Sequence, residues 1–369
     1  MPSRNQSRRT GRRCSRLRLP MPTTCSWLSF PPQPSRWSWK SFSGKGLKNR
    51  FADTITKSQG GKMERRKIWG PLVLLAVCVI CNSCMETRQQ SIIRENGYLE
   101  KHQVEKVARY WDQVTYAVVD GTTLTMDISS PEGQGPFPCV IIIHGGGWTM
   151  HTNTIMEGMA RYITNRGYVV FNINYRVLPE VKMEQIVEDC LGALLWVKEH
   201  AAEYGGDPKR LAVTGDSAGG HLTAMLVTQA RNPAFVPSYQ PKGTPDFSIS
   251  CAAPSYGVYN FLSLSKLVPS ITKGFLGESC GKNPERCKLL SPRFSIKSGL
   301  PPQLVMVGDL DPLYLENYRY VKALRKAGDP VEFWVYHGKS HAFLNNFWDK
   351  TGTRGYDRML EFFDQNLKK

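Results

Sequence analysis

The sequence predicts an α/β fold: a mostly parallel central sheet with helices on both faces. Three observations lead there. Cys139–Ile143 (CVIII) and Val169–Ile173 are continuous apolar, β-branched runs, the signature of strands buried on both faces. Between and after such runs lie stretches with helical spacing, such as Ile186, Cys190, Leu194, Val197 and Ala201. Strand and helix then alternate to the end of the chain, the pattern of parallel strands joined by crossover helices.

The elements follow in order. Residues 91–112 carry helical spacing and are expected to form a helix. Val114–Val119 and Thr122–Ile128 alternate as strands around Asp120-Gly121, a hairpin turn pair. Leu211–Thr214, Ile249–Ala252, Leu304–Val307 and Val331–Tyr336 are the later strands. Helices are expected from Ser217 to about Ala230, from Tyr314 to Lys326, and from Tyr356 onward. Residues 231–300 interrupt the alternation with Pro, Ser and Gly, and form the expected lid or pocket wall. No internal repeat is visible.

Charge separates the ends of the chain. The 369 residues hold 48 Lys+Arg and 31 Asp+Glu, a net of +17, but residues 1–62 contain 14 of the basic residues and a single acid, Asp53. The remaining 307 residues are nearly balanced, at +4. A basic nucleic-acid-binding face is therefore not a property of the globular part. Residues 1–62 have no apolar period and read as a solvated, disordered tail, dispensable to the rest, with translated upstream sequence as the second reading. A second start, Met63, opens an export-signal pattern: Arg65, Arg66 and Lys67, then an apolar run from Pro71 to Ile80, then Cys81-Asn-Ser-Cys84. That run is too short to span a bilayer. Ser83-Cys84 resembles a bacterial lipoprotein cleavage box, which implies a lipid anchor on Cys84. The catalytic domain is expected over 85–369, exported to the periplasm, the cell surface or the medium.

Of ten cysteines, Cys139, Cys190 and Cys251 sit in apolar runs and read as buried small hydrophobes. Cys280 and Cys287 flank a polar loop, a spacing compatible with a disulfide in an exported protein. No CxxC or HExxH accompanies them, so no zinc site is expected.

Three segments carry chemistry. Thr214-Gly-Asp-Ser-Ala-Gly-Gly-His221 places Gly215-x-Ser217-x-Gly219 between a buried strand and a helix, the context a nucleophile elbow needs. His144-Gly-Gly-Gly-Trp148 directly follows a strand. There the N–H groups of Gly146 and Gly147, with that of Ala218, are expected to stabilise an oxyanion, while His144 holds the loop. Asp309 and Asp311 emerge at the end of the Leu304–Val307 strand, and His341 follows the last strand. A serine needs an adjacent base, and a carboxylate holds that base in its tautomer. Asp311 is preferred over Asp309 because the following Pro312 biases it toward an extended conformation and suits the first position of a helix.

From about residue 114 to the end, the chain resembles the α/β-hydrolase superfamily, and most of all its hormone-sensitive-lipase-like bacterial esterases. The resemblance rests on HGGGW (144–148), NYR-x-LPE (174–180), GDSAGGHL (215–222), DPL (311–313) and HAF (341–343). The order Ser217, Asp311, His341 is that of the superfamily, and its DPL segment uses the Asp before Pro. One departure is the segment after DPL, Tyr314-Leu-Glu316, where many members carry a second acid. The resemblance implies carboxylic-ester hydrolysis through an acyl-enzyme, with no metal or organic cofactor. Prolines throughout 231–300 leave no long apolar lid, so short-chain acyl esters are expected, and by analogy the acetyl and feruloyl esters of polysaccharides are candidate substrates. Kynurenine formamidases share the fold and triad order, so amide hydrolysis is the alternative, with a non-catalytic binding protein behind it. Trypsin-like chemistry does not fit, because those enzymes need His before Asp before Ser on an all-β fold.

Overall fold

The computed structural model describes residues 107–345 and 350–368. The tail 1–62, the export-like segment 63–84 with Cys84, and most of the expected helix 91–112 lie outside these residues.

The expected sheet is present. Eight strands run in the order β1-β2-β4-β3-β5-β6-β7-β8: β1 (Arg109–Val119), β2 (Thr122–Ser130), β3 (Phe137–Ile143), β4 (Val169–Ile173), β5 (Gly206–Asp216), β6 (Cys251–Ser255), β7 (Gln303–Gly308) and β8 (Val331–Tyr336). The first three in that order pair antiparallel, and from β4 to β8 every pairing is parallel. The β1–β2 hairpin turns at Asp120-Gly121, both with positive φ (51° and 78°), as a tight primed turn requires.

The helical spacing around 109–112 misleads. Arg109, Tyr110 and Trp111 pair with Ser130, Ser129 and Ile128. Gln113 then bulges out at φ 51° and gives its N–H to Asp127 Oδ1 at 3.0 Å. Pairing with β2 satisfies the inward-facing backbone groups here, whereas a short helix on its own is marginal in water.

The described residues hold eight α-helices: α1 (Glu157–Thr164), α2 (Met183–His200), α3 (Ala218–Gln229), α4 (Phe261–Leu267), α5 (Pro269–Leu276), α6 (Pro284–Leu289), α7 (Tyr314–Ala327) and α8 (Lys350–Leu367). Alternation along β3 divides the interior into two layers. Cys139, Ile141 and Ile143 face α2 and α3, packing with Cys190, Leu194 and Leu222. Val140 and Ile142 face α1 and α8, packing with Met159, Ile163, Phe362 and Phe363. A strand buried on both faces has no polar side to show, which is why its sequence is continuously apolar.

Several element boundaries move, and β5 begins at Gly206 rather than Leu211. The last helix begins at Lys350 rather than Tyr356, and β6 covers Cys251–Ser255 rather than 249–252. The interrupting stretch 231–300 contains α4, α5 and α6, and its Phe261, Leu276 and Leu290 join the same core as β3 and α2. Cys280 and Cys287 are joined by a disulfide, while Cys139, Cys190 and Cys251 are free and buried.

Candidate active site

The expected catalytic and oxyanion residues all lie at the C-terminal ends of the parallel strands, where open α/β sheets place their ligands. β5 ends at Asp216 and α3 begins at Ala218, leaving Ser217 alone on the turn at φ 51°, ψ −112°. The two flanking glycines are dictated by space. A Cβ on Gly215 would stand 2.6 Å from Gly219 O, and one on Gly219 would stand 2.0 Å from Ile143 O. Strained backbone of this kind persists only where the surrounding structure over-determines it. Here Ser217 N–H donates to Ser255 O at 3.0 Å, and His221 N–H donates to Ser217 O at 3.0 Å.

Ser217, His341 and Asp311 are brought together from three different loops. Ser217 Oγ lies 2.8 Å from His341 Nε2, and His341 Nδ1 lies 2.8 Å from Asp311 Oδ2. An ionised carboxylate only accepts, so Nδ1 carries the proton and Nε2 is left to accept from the serine hydroxyl. Asp311 Oδ1 also accepts the Leu313 N–H at 2.8 Å, which caps the turn into α7. All three side chains are nearly buried, and Tyr256 stands edge-on to the His341 ring at 5.1 Å. Burial disfavours the imidazolium of His341, but Asp311 and then Asp216 more than offset this and hold its pKa above the ordinary histidine value.

The glycine loop lies beside the elbow. Gly146 and Gly147 both have positive φ (113° and 62°), and a Cβ on Gly146 would meet Met150 O at 2.3 Å. The Gly146 carbonyl is taken by Thr149 and Met150 N–H within the loop. Among the described residues no backbone carbonyl takes the N–H of Gly146, Gly147 or Ala218. His144 is fully buried, stacks on Tyr175 with ring centroids 4.2 Å apart, and has Nδ1 2.7 Å from Gly145 O. Tyr175 Oη donates to His144 O. Burial pushes the His144 imidazolium down to about 4, so the ring is a neutral structural support.

Two contributors were not read from the sequence. Asp216, directly before the serine, is fully buried. Its Oδ2 accepts from Asn345 Nδ2 at 3.0 Å, and its carboxylate lies against Gly145, where a Cβ would stand 2.7 Å from Oδ2. It thereby ties the glycine loop to the segment after His341. A lone acid closing an apolar strand was the available signal. The other is His221, in the first turn of α3, which bonds Trp148 and Leu290. The Glu316 that departs from the family pattern is buried against Arg293 and Arg319, so it links α7 to the 231–300 stretch and stands apart from the serine, histidine and aspartate. Among the described residues no group of three or more His, Cys, Asp or Glu side chains is placed to hold a metal ion.

Sheet order, elbow and relay together define an α/β hydrolase, and the relatives below place it in the hormone-sensitive-lipase-like branch. The chain belongs to the BD-FAE family, whose model matches residues 126–319. It is 34% identical over 226 residues to the carboxylic ester hydrolase LipN of Mycobacterium tuberculosis, a match covering 59% of this chain and 60% of LipN. It is 31% identical over 222 residues to carboxylesterase NlhH of the same species, covering 58% of this chain and 69% of NlhH. Across the first of these curated relatives the chain spans about half to three-fifths of their length. Among solved structures, the carboxylesterase EstE1 from a metagenomic library superposes with a TM-score of 0.63 at 25% identity, covering 76% of this chain and 96% of that one. Esterase 2 of Thermogutta terrifontis, bound to propionate, superposes with a TM-score of 0.55 at 27% identity, covering 67% and 93%.

Proposed function

We propose that this protein is a serine carboxylesterase acting on small-molecule esters. The observation that carries the reading is the relay Ser217 Oγ to His341 Nε2 to Asp311, both contacts at 2.8 Å, set on a strained strand–helix elbow beside a glycine loop. Ser217 Oγ attacks the ester carbonyl while His341 Nε2 takes its proton. Negative charge collects on the former carbonyl oxygen and is met by the N–H groups of Gly146, Gly147 and Ala218. Loss of one such donor costs about 2.7–4 kcal/mol in the transition state. The intermediate collapses, the C–O bond to the alcohol breaks, and His341 returns the proton to the departing alkoxide. Water then attacks the acyl-enzyme with His341 again as base, which releases the acid and restores Ser217. Asp311 keeps the imidazole in the required tautomer throughout.

The preferred acyl groups are short. The names of the relatives, carboxylic ester hydrolases and an ethyl acetate hydrolase, support small esters. Acetyl or feruloyl groups on polysaccharides fit an exported enzyme, and the basic and apolar segment at 63–84 supports export with Cys84 as lipid anchor.

The test is turnover of p-nitrophenyl acetate by the wild type and by Ser217→Ala, with a formamide substrate alongside. Turnover of the ester that vanishes in Ser217→Ala supports the reading. Undiminished hydrolysis in Ser217→Ala, or turnover of the formamide alone, overturns it.

A further inference from the structure

Trp148 closes the glycine loop in a conformation rare for a tryptophan, φ 60°, and is 2% exposed. Its indole Nε1–H donates to His221 Nδ1 at 3.2 Å. The ring packs edge-on against His221 (centroids 5.2 Å) and Phe275 (5.1 Å), and at a tilt on Phe261 (5.5 Å). Because His221 Nδ1 accepts, the imidazole proton sits on Nε2, which donates to Leu290 O at 2.8 Å. Burial pushes the His221 imidazolium down to about 4, so this neutral tautomer prevails at ordinary pH.

Leu290 is itself held. It directly follows α6, its N–H bonds Arg286 O, and Cys287 three residues earlier is linked to Cys280. Ser291 Oγ accepts the Phe261 N–H at 2.8 Å and donates to Cys287 O. The carbonyl that orients His221 therefore belongs to the disulfide-closed part of the 231–300 stretch. His221 stands four residues after Ser217, and no step of the reaction above uses it. An apolar residue would fill the same space without the need to satisfy two buried nitrogens, whose unmade bonds cost ~1–3 kcal/mol each.

We propose that His221 is a positioning residue for the oxyanion loop: the Leu290 carbonyl holds the ring proton on Nε2 and so leaves Nδ1 as the acceptor that fixes Trp148, and through Trp148 the adjacent N–H groups of Gly146 and Gly147. This rests on the esterase reading. A displacement of those donors by about 1 Å is enough to cost ~100-fold in rate, while substrate binding elsewhere in the site is unaffected.

Two substitutions separate the ring's two nitrogens. His221→Asn keeps an acceptor near the Nδ1 position and loses the bond to Leu290. His221→Gln keeps a donor near the Nε2 position and loses the acceptor for Trp148. Trp148→Phe keeps the aromatic packing and removes the indole donor. The readouts are kcat and KM on p-nitrophenyl acetate, and the rate at which a p-nitrophenyl phosphonate modifies Ser217, followed by intact mass. His221→Gln and Trp148→Phe are expected to lose about 30-fold or more in kcat with KM within about threefold, and His221→Asn to recover kcat to within about fivefold of wild type. Phosphonylation rates should rank the same way. Equal losses in His221→Asn and His221→Gln, losses confined to KM, or an unimpaired Trp148→Phe would each overturn the proposal. If the wild type turns over no ester, the esterase reading fails by itself, and the phosphonylation ranking decides the role of His221.

Discussion

Asp309 and Asp311 stand two residues apart on one turn and serve different histidines. Asp311 Oδ2 meets the buried His341 Nδ1 at 2.8 Å, whereas Asp309 Oδ2 meets the exposed His337 Nδ1 at 3.0 Å, and Asp309 Oδ1 accepts the Gly338 N–H at 2.7 Å. One carboxylate orients the base, and the other fastens the loop that carries it. The fastening continues through the backbone, where Leu310 N–H donates to Lys339 O at 3.0 Å. Gly308 leaves room for this close approach, since a Cβ there would stand 2.1 Å from Lys339 O.

The pair predicts an asymmetric response to neutralisation. Asp311→Asn should lower kcat by up to ~10⁴-fold, through the same tautomer failure seen in serine proteases. Asp309→Asn retains an acceptor for Gly338 N–H on an exposed turn and should cost less than about tenfold, in keeping with the small worth of surface ion pairs. Steady-state kinetics with thermal melts checks this. The reverse ranking would assign the catalytic carboxylate to Asp309.

The pH dependence follows from the electrostatics around His341. The base must be neutral to accept the serine proton, and the carboxylates of Asp311 and Asp216 hold its pKa above 6.5 despite burial. A raised pKa keeps it protonated to higher pH, so kcat/KM should climb along an acid limb centred above 6.5 and reach its plateau in mildly alkaline solution. Asp216→Asn removes one of the two charges, and the limb should then move toward lower pH. A wild-type midpoint at or below 6, or an unmoved limb in the variant, contradicts this account.

The disulfide should contribute measurably to stability. Cys280 and Cys287 close a loop of eight residues. By the loop-entropy relation, losing the bond costs about 2.5 kcal/mol. That corresponds to a fall of roughly 5–10 °C in Tm for a domain of this size. Calorimetry of the Cys280→Ser, Cys287→Ser double variant measures it, and an unchanged Tm would mean that the Arg286–Glu184 and Arg286–Glu278 pairs hold the segment unaided.

Acyl-chain preference follows from the shape of the 231–300 stretch. Its helices α4, α5 and α6 have seven, eight and six residues, too short to roof a long apolar tunnel. Butyrate esters should therefore give higher kcat/KM than palmitate esters across a p-nitrophenyl series. A preference for palmitate sinks this reading of the stretch.

Much of this molecule was legible in the sequence because the signals are local. A strand covered on both faces must be apolar at every position, so β3 and β4 announced themselves. The elbow and the glycine loop were equally plain, since Gly215, Gly219 and Gly146 sit where a Cβ would strike backbone within 2.6 Å. The tertiary structure decided what depends on distant segments meeting. Arg109–Trp111 is a strand because β2 pairs with it, a fact absent from its own spacing. Register between β7 and β8, with Gly308 opposite Tyr336, brings the Asp309–Asp311 turn against the His337–His341 loop and allots each carboxylate its histidine. Likewise Asp216 meets Asn345 across 129 residues and His221 meets Leu290 across 69. No local pattern encodes such pairs, because a buried polar side chain finds its partner only after the apolar layers have fixed where each loop emerges.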